Sequence, residues 1–375
     1  MIREKARNRF TRNGQSLLVP FLFHYLVLLL GTIIPYYKDT SHVGMAFNES
    51  AHSWIQWDSL WYIHIASFGY ENTIAAAYFP FVPFLFQLVH NEAVMFGITA
   101  VGFAASLYLL QEFFKRMKMN DWQITMGLLL YALNPASIYF ATIYTEVWTV
   151  LFSLASLHMA TKNKWGYAGL FAAMVTTTRG TALLFGIFPF VLFVYSAVKR
   201  QWNGVKQALF WGLSCFVGIG AYMVLLYFIF GDPFMFSSTQ KENWHHYWTL
   251  PWTQFIDAFH RNLWTDFRES RQALWIVTFL FSYWGLVSVW KQRATIEWER
   301  IAVIVFTVGN VLMTLCFGTE DAPLFSTMRY LSVIFPIYGI MATSLSKPFQ
   351  WLILFIFAAL SFMGAWTFTH HAWFL

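Results

Sequence analysis

The stretch best equipped for chemistry runs from Trp57-Asp58-Ser59-Leu60-Trp61-Tyr62 through Gly69-Tyr70 to Tyr78-Phe79-Pro80-Phe81-Val82-Pro83, one carboxylate set among aromatic and turn-forming residues. A carboxylate within hydrogen-bond reach of an acceptor hydroxyl can take its proton, and flat rings can bind a sugar or an isoprenoid. Trp57, Leu60, Trp61, His64, Ile65 and Phe68 fall on one helical face, while Asp58, Ser59, Tyr62 and Ser67 fall elsewhere. The pattern predicts an amphipathic helix ended by Gly69 and lying at a membrane interface, with Asp58 at the water-lipid boundary. Because Asp58 sits near the helix start, helix N-capping competes with catalysis as its role.

Three more segments place ionisable or polar groups where apolar runs break: Asn134-Pro135-Ala136-Ser137 with Tyr144-Thr145-Glu146, then Thr178-Arg179-Gly180, then Thr327-Met328-Arg329-Tyr330. Charge at membrane depth is costly, so Glu146, Arg179 and Arg329 are functional candidates, with mutual structural pairing as the competing role. A later stretch, Lys241-Glu242-Asn243-Trp244-His245-His246-Tyr247-Trp248 with Pro251-Trp252, mixes aromatic faces with hydrogen-bonding groups. It suits a sugar or isoprenoid, and an interfacial aromatic belt accounts for most of it equally well.

The elements that must position these groups are membrane spans. The 375 residues are 58% hydrophobic, 21% aromatic and 11% charged, where about 25% charged is usual for a globular chain. This predicts an all-α polytopic membrane protein forming a single domain over 1–375. Apolar run length gives about 11 transmembrane helices, at 17–36, 92–113, 123–140, 146–161, 166–178, 181–198, 206–230, 273–290, 301–317, 329–346 and 350–369. The basic start, with Arg3, Lys5, Arg7, Arg9 and Arg12, makes the first span an uncleaved signal anchor with a cytoplasmic amino terminus. On that alternation seventeen of the 24 Lys and Arg residues fall inside and seven outside. The two long loops, 37–91 and 231–272, both fall outside, so the chemistry is expected on the external face of the cell membrane, or on the equivalent face of the ER membrane in a eukaryote. The +6 net charge is mostly this positive-inside bias, and nucleic acid is not an expected partner. Cys215 and Cys316 lie in apolar runs and read as buried free thiols.

Trp57-Asp58, Trp61-Tyr62, Ile65-Ala66, Gly69-Tyr70 and Phe79-Pro80-Phe81-Val82-Pro83 resemble, in order and spacing, the signature of the PIG-V family, the second mannosyltransferase of glycosylphosphatidylinositol assembly and its prokaryotic relatives. Asn134-Pro135-Ala136, Tyr144-Thr145-Glu146 (where the family usually has Tyr-Ser-Glu), Thr178-Arg179-Gly180 (in place of an Arg-Ser-Asn-Gly-like turn) and Arg329-Tyr330 follow in family order. The resemblance implies a GT-C-like glycosyltransferase that moves a sugar, most simply mannose, from a polyprenyl-phosphate (dolichyl-phosphate-like) donor to a hydroxyl of a lipid-linked or surface glycan. In this class the first external loop carries the catalytic acid, which makes Asp58 the expected general base.

The departing phosphate needs positive charge or hydrogen-bond donors, for which Arg179, Arg329, His245 and His246 are the candidates. Arg329 ranks first because it sits in the family-like Arg-aromatic motif and its guanidinium grips phosphate through two parallel hydrogen bonds. Trp57, Trp61, Tyr62, Tyr144 and Glu146 complete the expected substrate-binding set, with membrane lipids as surroundings. No cofactor is expected, and a divalent cation is not indicated, since His245-His246 and His370-His371 lack ligand partners at helical spacing. A transporter or flippase of lipid-linked sugars is the alternative from a different class. It would be expected to show internal repeats, and none is clear in this sequence.

Overall fold

The computed structural model describes residues 2–34, 53–260, 280, 283, 297–319, 324 and 326–370. The span at 273–290, residues 37–52 of the first long loop, 261–272 of the second, and His371 lie outside the described residues.

Among the described residues helices dominate, and five are long and apolar enough to cross a bilayer: Glu92–Arg116, Gly180–Val198, Trp202–Phe230, Trp298–Cys316 and Lys347–Thr369. Shorter apolar segments at Leu17–Ile33 and Trp165–Thr176 join them. This is the build of a multi-pass, all-α membrane protein.

Several helix boundaries follow from local chemistry. Asn91 and Asn120 cap the Glu92–Arg116 and Asp121–Ala132 helices by accepting the amide protons of Val94 and Gln123. The run at 123–140 breaks at Ala132, where the buried Asn134 side chain bonds Ala136 N and Tyr131 O. Pro135 prevents the helix from resuming, and only a 3-10 turn, Ser137–Phe140, follows. The run at 329–346 is two helices, Thr327–Ser332 and Pro336–Ser344, because Pro336 is tolerated only in a helix's first turn. The run at 181–198 begins as a 3-10 segment, Gly180–Gly186, before the Ile187–Val198 helix.

The Glu146–Thr161 helix is the centre of the bundle, with most of its residues buried all round. Its Ser156 hydroxyl donates to Ala168 O at 2.7 Å and accepts from Trp211 Nε1 at 2.9 Å, which ties the helix to two neighbours. The neighbouring Trp165–Thr176 helix is pressed against Trp202–Phe230 at Gly218, where a Cβ would lie 2.0 Å from the Ala173 carbonyl oxygen.

Residues that the sequence assigns to one side of the membrane meet one another. Arg116 pairs with Glu299, and Trp122 is joined to Gln350 and lies beneath Lys347. At the other end, His246–Trp248 pairs antiparallel with Phe317–Thr319, forming the single small sheet among the described residues. Composition gave no sign of these three-residue strands.

Candidate active site

The Asp58–Phe68 helix forms where expected. Ser59, Tyr62, Ile65 and Ala66 are buried, while Leu60 and Phe68 are 54% and 65% exposed. The oily stripe is therefore divided: Trp57, Leu60 and Phe68 face outward, Trp61 and His64 are half-buried, and Ile65 packs into the protein. The N-cap residue is Trp57, held at a positive φ of 55° and making no capping bond through its side chain, so Asp58 is the first helical residue rather than the cap.

Asp58 is anchored twice. Its backbone N–H donates to the Tyr144 hydroxyl at 3.2 Å, and that hydroxyl donates to Gln56 O at 3.1 Å. Its carboxylate Oδ2 lies 2.6 Å from Arg329 Nη1. Arg329 Nε in turn donates to Glu146 Oε1 at 2.5 Å, and Arg179 Nη1 reaches the same oxygen at 3.3 Å. Four ionisable groups from four separate segments thus form one cluster of two carboxylates and two guanidiniums with no net charge. Neutrality is what allows it to sit so deep, because an unmatched charge there would cost several kcal/mol.

Each segment is fixed to the next. Glu146 opens the central helix and is 0% exposed. The hydroxyls of Thr149 and Thr178 share a hydrogen bond of 2.9 Å, which holds the Arg179 turn against that helix. The guanidinium of Arg329 stands 4.7 Å over the Tyr144 ring and 5.2 Å from that of Tyr139, and Arg179 stands 5.1 Å over Tyr330. Arg329 is delivered by a bend in which Leu324 and Ser326 both take left-handed backbone angles. That bend is tied down by Gln254, which accepts from Leu324 N at 2.9 Å and donates to Leu315 O at 2.8 Å. Asp58, with its side chain 19% exposed, is the most accessible member of the cluster.

An aromatic wall continues outward. Tyr62 packs edge-on against Tyr144 and Tyr78, Trp61 stacks on Tyr78 at 5.3 Å, and Trp244 meets Tyr78 at 6.2 Å. Burial, with the Asp58 charge adding to it, pushes the Tyr62 and Tyr78 hydroxyls above the usual tyrosine range, so they stay neutral hydrogen-bond donors.

The structure thus gathers Trp57, Asp58, Trp61, Tyr62, Tyr144, Glu146, Arg179 and Arg329 into one region. His246 makes its contacts elsewhere, in the small sheet. His246 donates to Gly318 O at 3.3 Å and stacks on Phe317, and its pKa is lowered by burial, so it is a neutral packing group. His245 takes a left-handed turn after the Met235–Trp244 helix. Sequence reasoning missed Tyr139 and Gln56, and gave Tyr78 a place in the chemical stretch but no role of its own. Tyr139 had a weak signal, lying five residues before Tyr144 in the same broken segment. Among the described residues, no three His, Cys, Asp or Glu side chains gather as metal ligands.

No family model matches the chain. Curated relatives do. GPI mannosyltransferase 2 of Yarrowia lipolytica (strain CLIB 122 / E 150) is 24% identical over 301 residues, covering 78% of this chain and 80% of that protein. GPI mannosyltransferase 2 of Schizosaccharomyces pombe (strain 972 / ATCC 24843) is 23% identical over 232 residues, or 53% and 49% of the two chains. The protein of that name from Drosophila pseudoobscura pseudoobscura is 26% identical over 201 residues, or 46% and 43%. The matches to these last two thus span about half of each relative. The likeness first seen in short motifs therefore extends over most of the sequence, and the chain is a distant, PIG-V-like relative of the GPI mannosyltransferase 2 proteins.

Proposed function

We propose that this chain is a membrane mannosyltransferase of GT-C type, with about 11 spans, a cytoplasmic amino terminus and its active site on the external face. The donor is a polyprenyl-phosphate sugar, most simply mannose, and the acceptor is a hydroxyl of a lipid-linked or surface glycan. The similarity to mannosyltransferases supports the reaction class. The observation that carries the mechanism is the convergence of Asp58, Glu146, Arg179 and Arg329, each from a separate motif, beside an aromatic wall.

In this reading the acceptor hydroxyl gives its proton to the Asp58 carboxylate as its oxygen attacks the anomeric carbon. The bond from that carbon to the phosphate oxygen breaks, and the electron pair leaves with the polyprenyl phosphate. Positive charge beside the departing phosphate lowers the barrier. The sequence ranks Arg329 first for that role. Its contacts go to two carboxylates, however, whereas Arg179 makes one long hydrogen bond among the described residues, so Arg179 becomes the better phosphate ligand. Trp61, Tyr62 and Tyr78 supply ring faces and hydroxyl donors for the sugars.

The test is incubation of the purified chain in detergent with radiolabelled polyprenyl-phosphate mannose and a lipid extract of the source membranes. Label moving from the donor to a new product is expected. Donor that stays intact in detergent, but is moved between leaflets by the chain in vesicles, would mark a transporter instead.

A further inference from the structure

We infer that Glu146 is a positioning residue for the reaction: acting through Arg329, it fixes the direction of the Asp58 carboxylate. This rests on the assignment of Asp58 as base. Glu146 is the one fully buried member of the cluster and sits on a helix most of whose residues are buried, so it is the part least free to move. Both guanidiniums converge on its single oxygen Oε1, Arg329 through Nε and Arg179 through Nη1.

Arg329 therefore has its inner edge held by Glu146 and its face held by Tyr144 and Tyr139. Only its Nη1 end points at Asp58, at 2.6 Å. A planar fork gripped on three sides transmits the position of Glu146 to the Asp58 side chain, in the way that a second carboxylate or carbonyl orients a catalytic group elsewhere. Asp58 needs such a guide because it is the first residue of its helix and its side chain is the most exposed of the four. Of the groups that meet the Asp58 side chain and its backbone, Tyr144 fixes the N–H and Arg329 the carboxylate, and Glu146 holds Arg329.

One feature points the other way. Glu146 Oε2 has no hydrogen-bond partner among the described residues, and a sugar hydroxyl reaching it would make Glu146 a binding residue. The two roles separate in the kinetics. A positioning residue sets kcat, because misplacement of a reacting group by about 1 Å costs on the order of 10²-fold in rate. A binding residue lost uniformly raises KM.

The experiment is steady-state transfer by full-length Glu146→Gln in detergent, with radiolabelled polyprenyl-phosphate mannose as donor and the membrane lipid extract as acceptor. We expect kcat to fall about 10²-fold with the KM for donor and for extract unchanged. A raised KM at unchanged kcat, or no change in either, overturns the inference. If Glu146→Gln does not fold, Arg329→Lys carries the same test, because a lysine keeps the charge but loses the fork that meets both carboxylates. It should lower kcat and leave donor KM unchanged, and a raised donor KM at unchanged kcat again refutes the proposal. Asp58→Asn in the same assay separates the two levels. If it retains turnover, the base assignment falls and this inference with it. If it is inactive while Glu146→Gln turns over normally, only the inference fails.

Discussion

Replacing Asp58 with Asn separates chemistry from architecture, and the structure sets both magnitudes. The amide is nearly isosteric and keeps an oxygen that can accept from Arg329 Nη1, so the 2.6 Å contact can survive as a neutral hydrogen bond. What is lost is the negative charge, which leaves two guanidiniums facing one carboxylate. Removing one partner of a buried ion pair typically costs ~3–5 kcal/mol, and retention of the hydrogen bond together with partial exposure of Asp58 places this variant at the low end. The sequence alone predicted nearly no loss of stability, since Asn caps a helix about as well as Asp; the ion pair changes that expectation. Activity should fall much further, by the ~10²–10⁴-fold that a general base contributes. Donor binding should persist, because the substitution removes an anion from beside the proposed phosphate site. The assay is transfer of labelled mannose alongside thermal denaturation and donor binding in the same detergent. A folded Asp58→Asn protein that binds donor and turns over like the wild type would refute the reasoning, and Glu146 would become the next carboxylate to examine.

Topology is checked by replacing Cys215 and Cys316 and introducing single cysteines at Glu71 and Asn120; an impermeant thiol reagent applied to intact cells should label the first and spare the second, and labelling of both from outside would break the alternation. Gly218→Ala places a Cβ on the Ala173 carbonyl, so the Trp165–Thr176 and Trp202–Phe230 helices must part; a loss of ~1–3 kcal/mol or more in thermal stability is expected, and an unchanged midpoint would mean the helices are not packed this closely. His246, its pKa lowered by burial, contributes stability that is fully present above the ordinary value of 6.5 and is lost as pH falls through its folded value. His246→Phe keeps a ring on Phe317, so the fall in stability on acidification below 6.5 should be smaller than in the wild type, and an identical pH profile would show that His246 does not titrate on unfolding. Tyr144→Phe keeps the ring under Arg329 but leaves Asp58 N–H without the Tyr144 hydroxyl, while Gln56 O still accepts from Ser59 N; about 1–3 kcal/mol of destabilisation for the one unsatisfied group is expected from denaturation curves, and an unchanged midpoint would show that this bond does not hold Asp58.

Much of this site was legible because its residues are expensive where they stand. A Glu and two Arg at the breaks of long apolar runs call for a reason, and Glu146, Arg179 and Arg329 stand out on that ground, while Asp58 stands out as the carboxylate of an aromatic, family-like motif. The helix at 58–68 was also legible, since period and Gly69 both act locally. The pairing was not. Nothing in local sequence says that Arg329 meets Asp58 at one end and Glu146 at the other, because those contacts are fixed by how helices more than a hundred residues apart cross. The same limit hid Tyr139, which looks like an ordinary membrane aromatic until Arg329 comes to rest against it, and left Tyr78 without a role until Trp61 stacks on it. The spans at 123–140 and 329–346 both run through a proline, of which Pro135 already reads as a break in the sequence and Pro336 does not; an apolar run measures hydrophobic length, while these prolines decide where the backbone can stay helical.

A glycosyl transfer at the edge of a membrane has conflicting electrostatic needs. The base must be anionic to accept a proton, the phosphate must meet positive charge, and both must sit where bare charge is unfavourable. A lone Asp58 beside a lone arginine would satisfy the resting state but would quench each other's function: the arginine would hold the carboxylate too firmly and the carboxylate would mask the arginine. The second pair loosens this bind. Glu146 shares the charge of Arg329, so Asp58 does not have to neutralise it alone, and Arg179 brings a second cation that Glu146 balances with its other share. In the proposed reading the cluster is neutral as a whole while its two ends, Asp58 for the acceptor and Arg179 for the phosphate, remain chemically distinct. On this account the buried Glu146 is what would allow the other three charges to work in the same small volume.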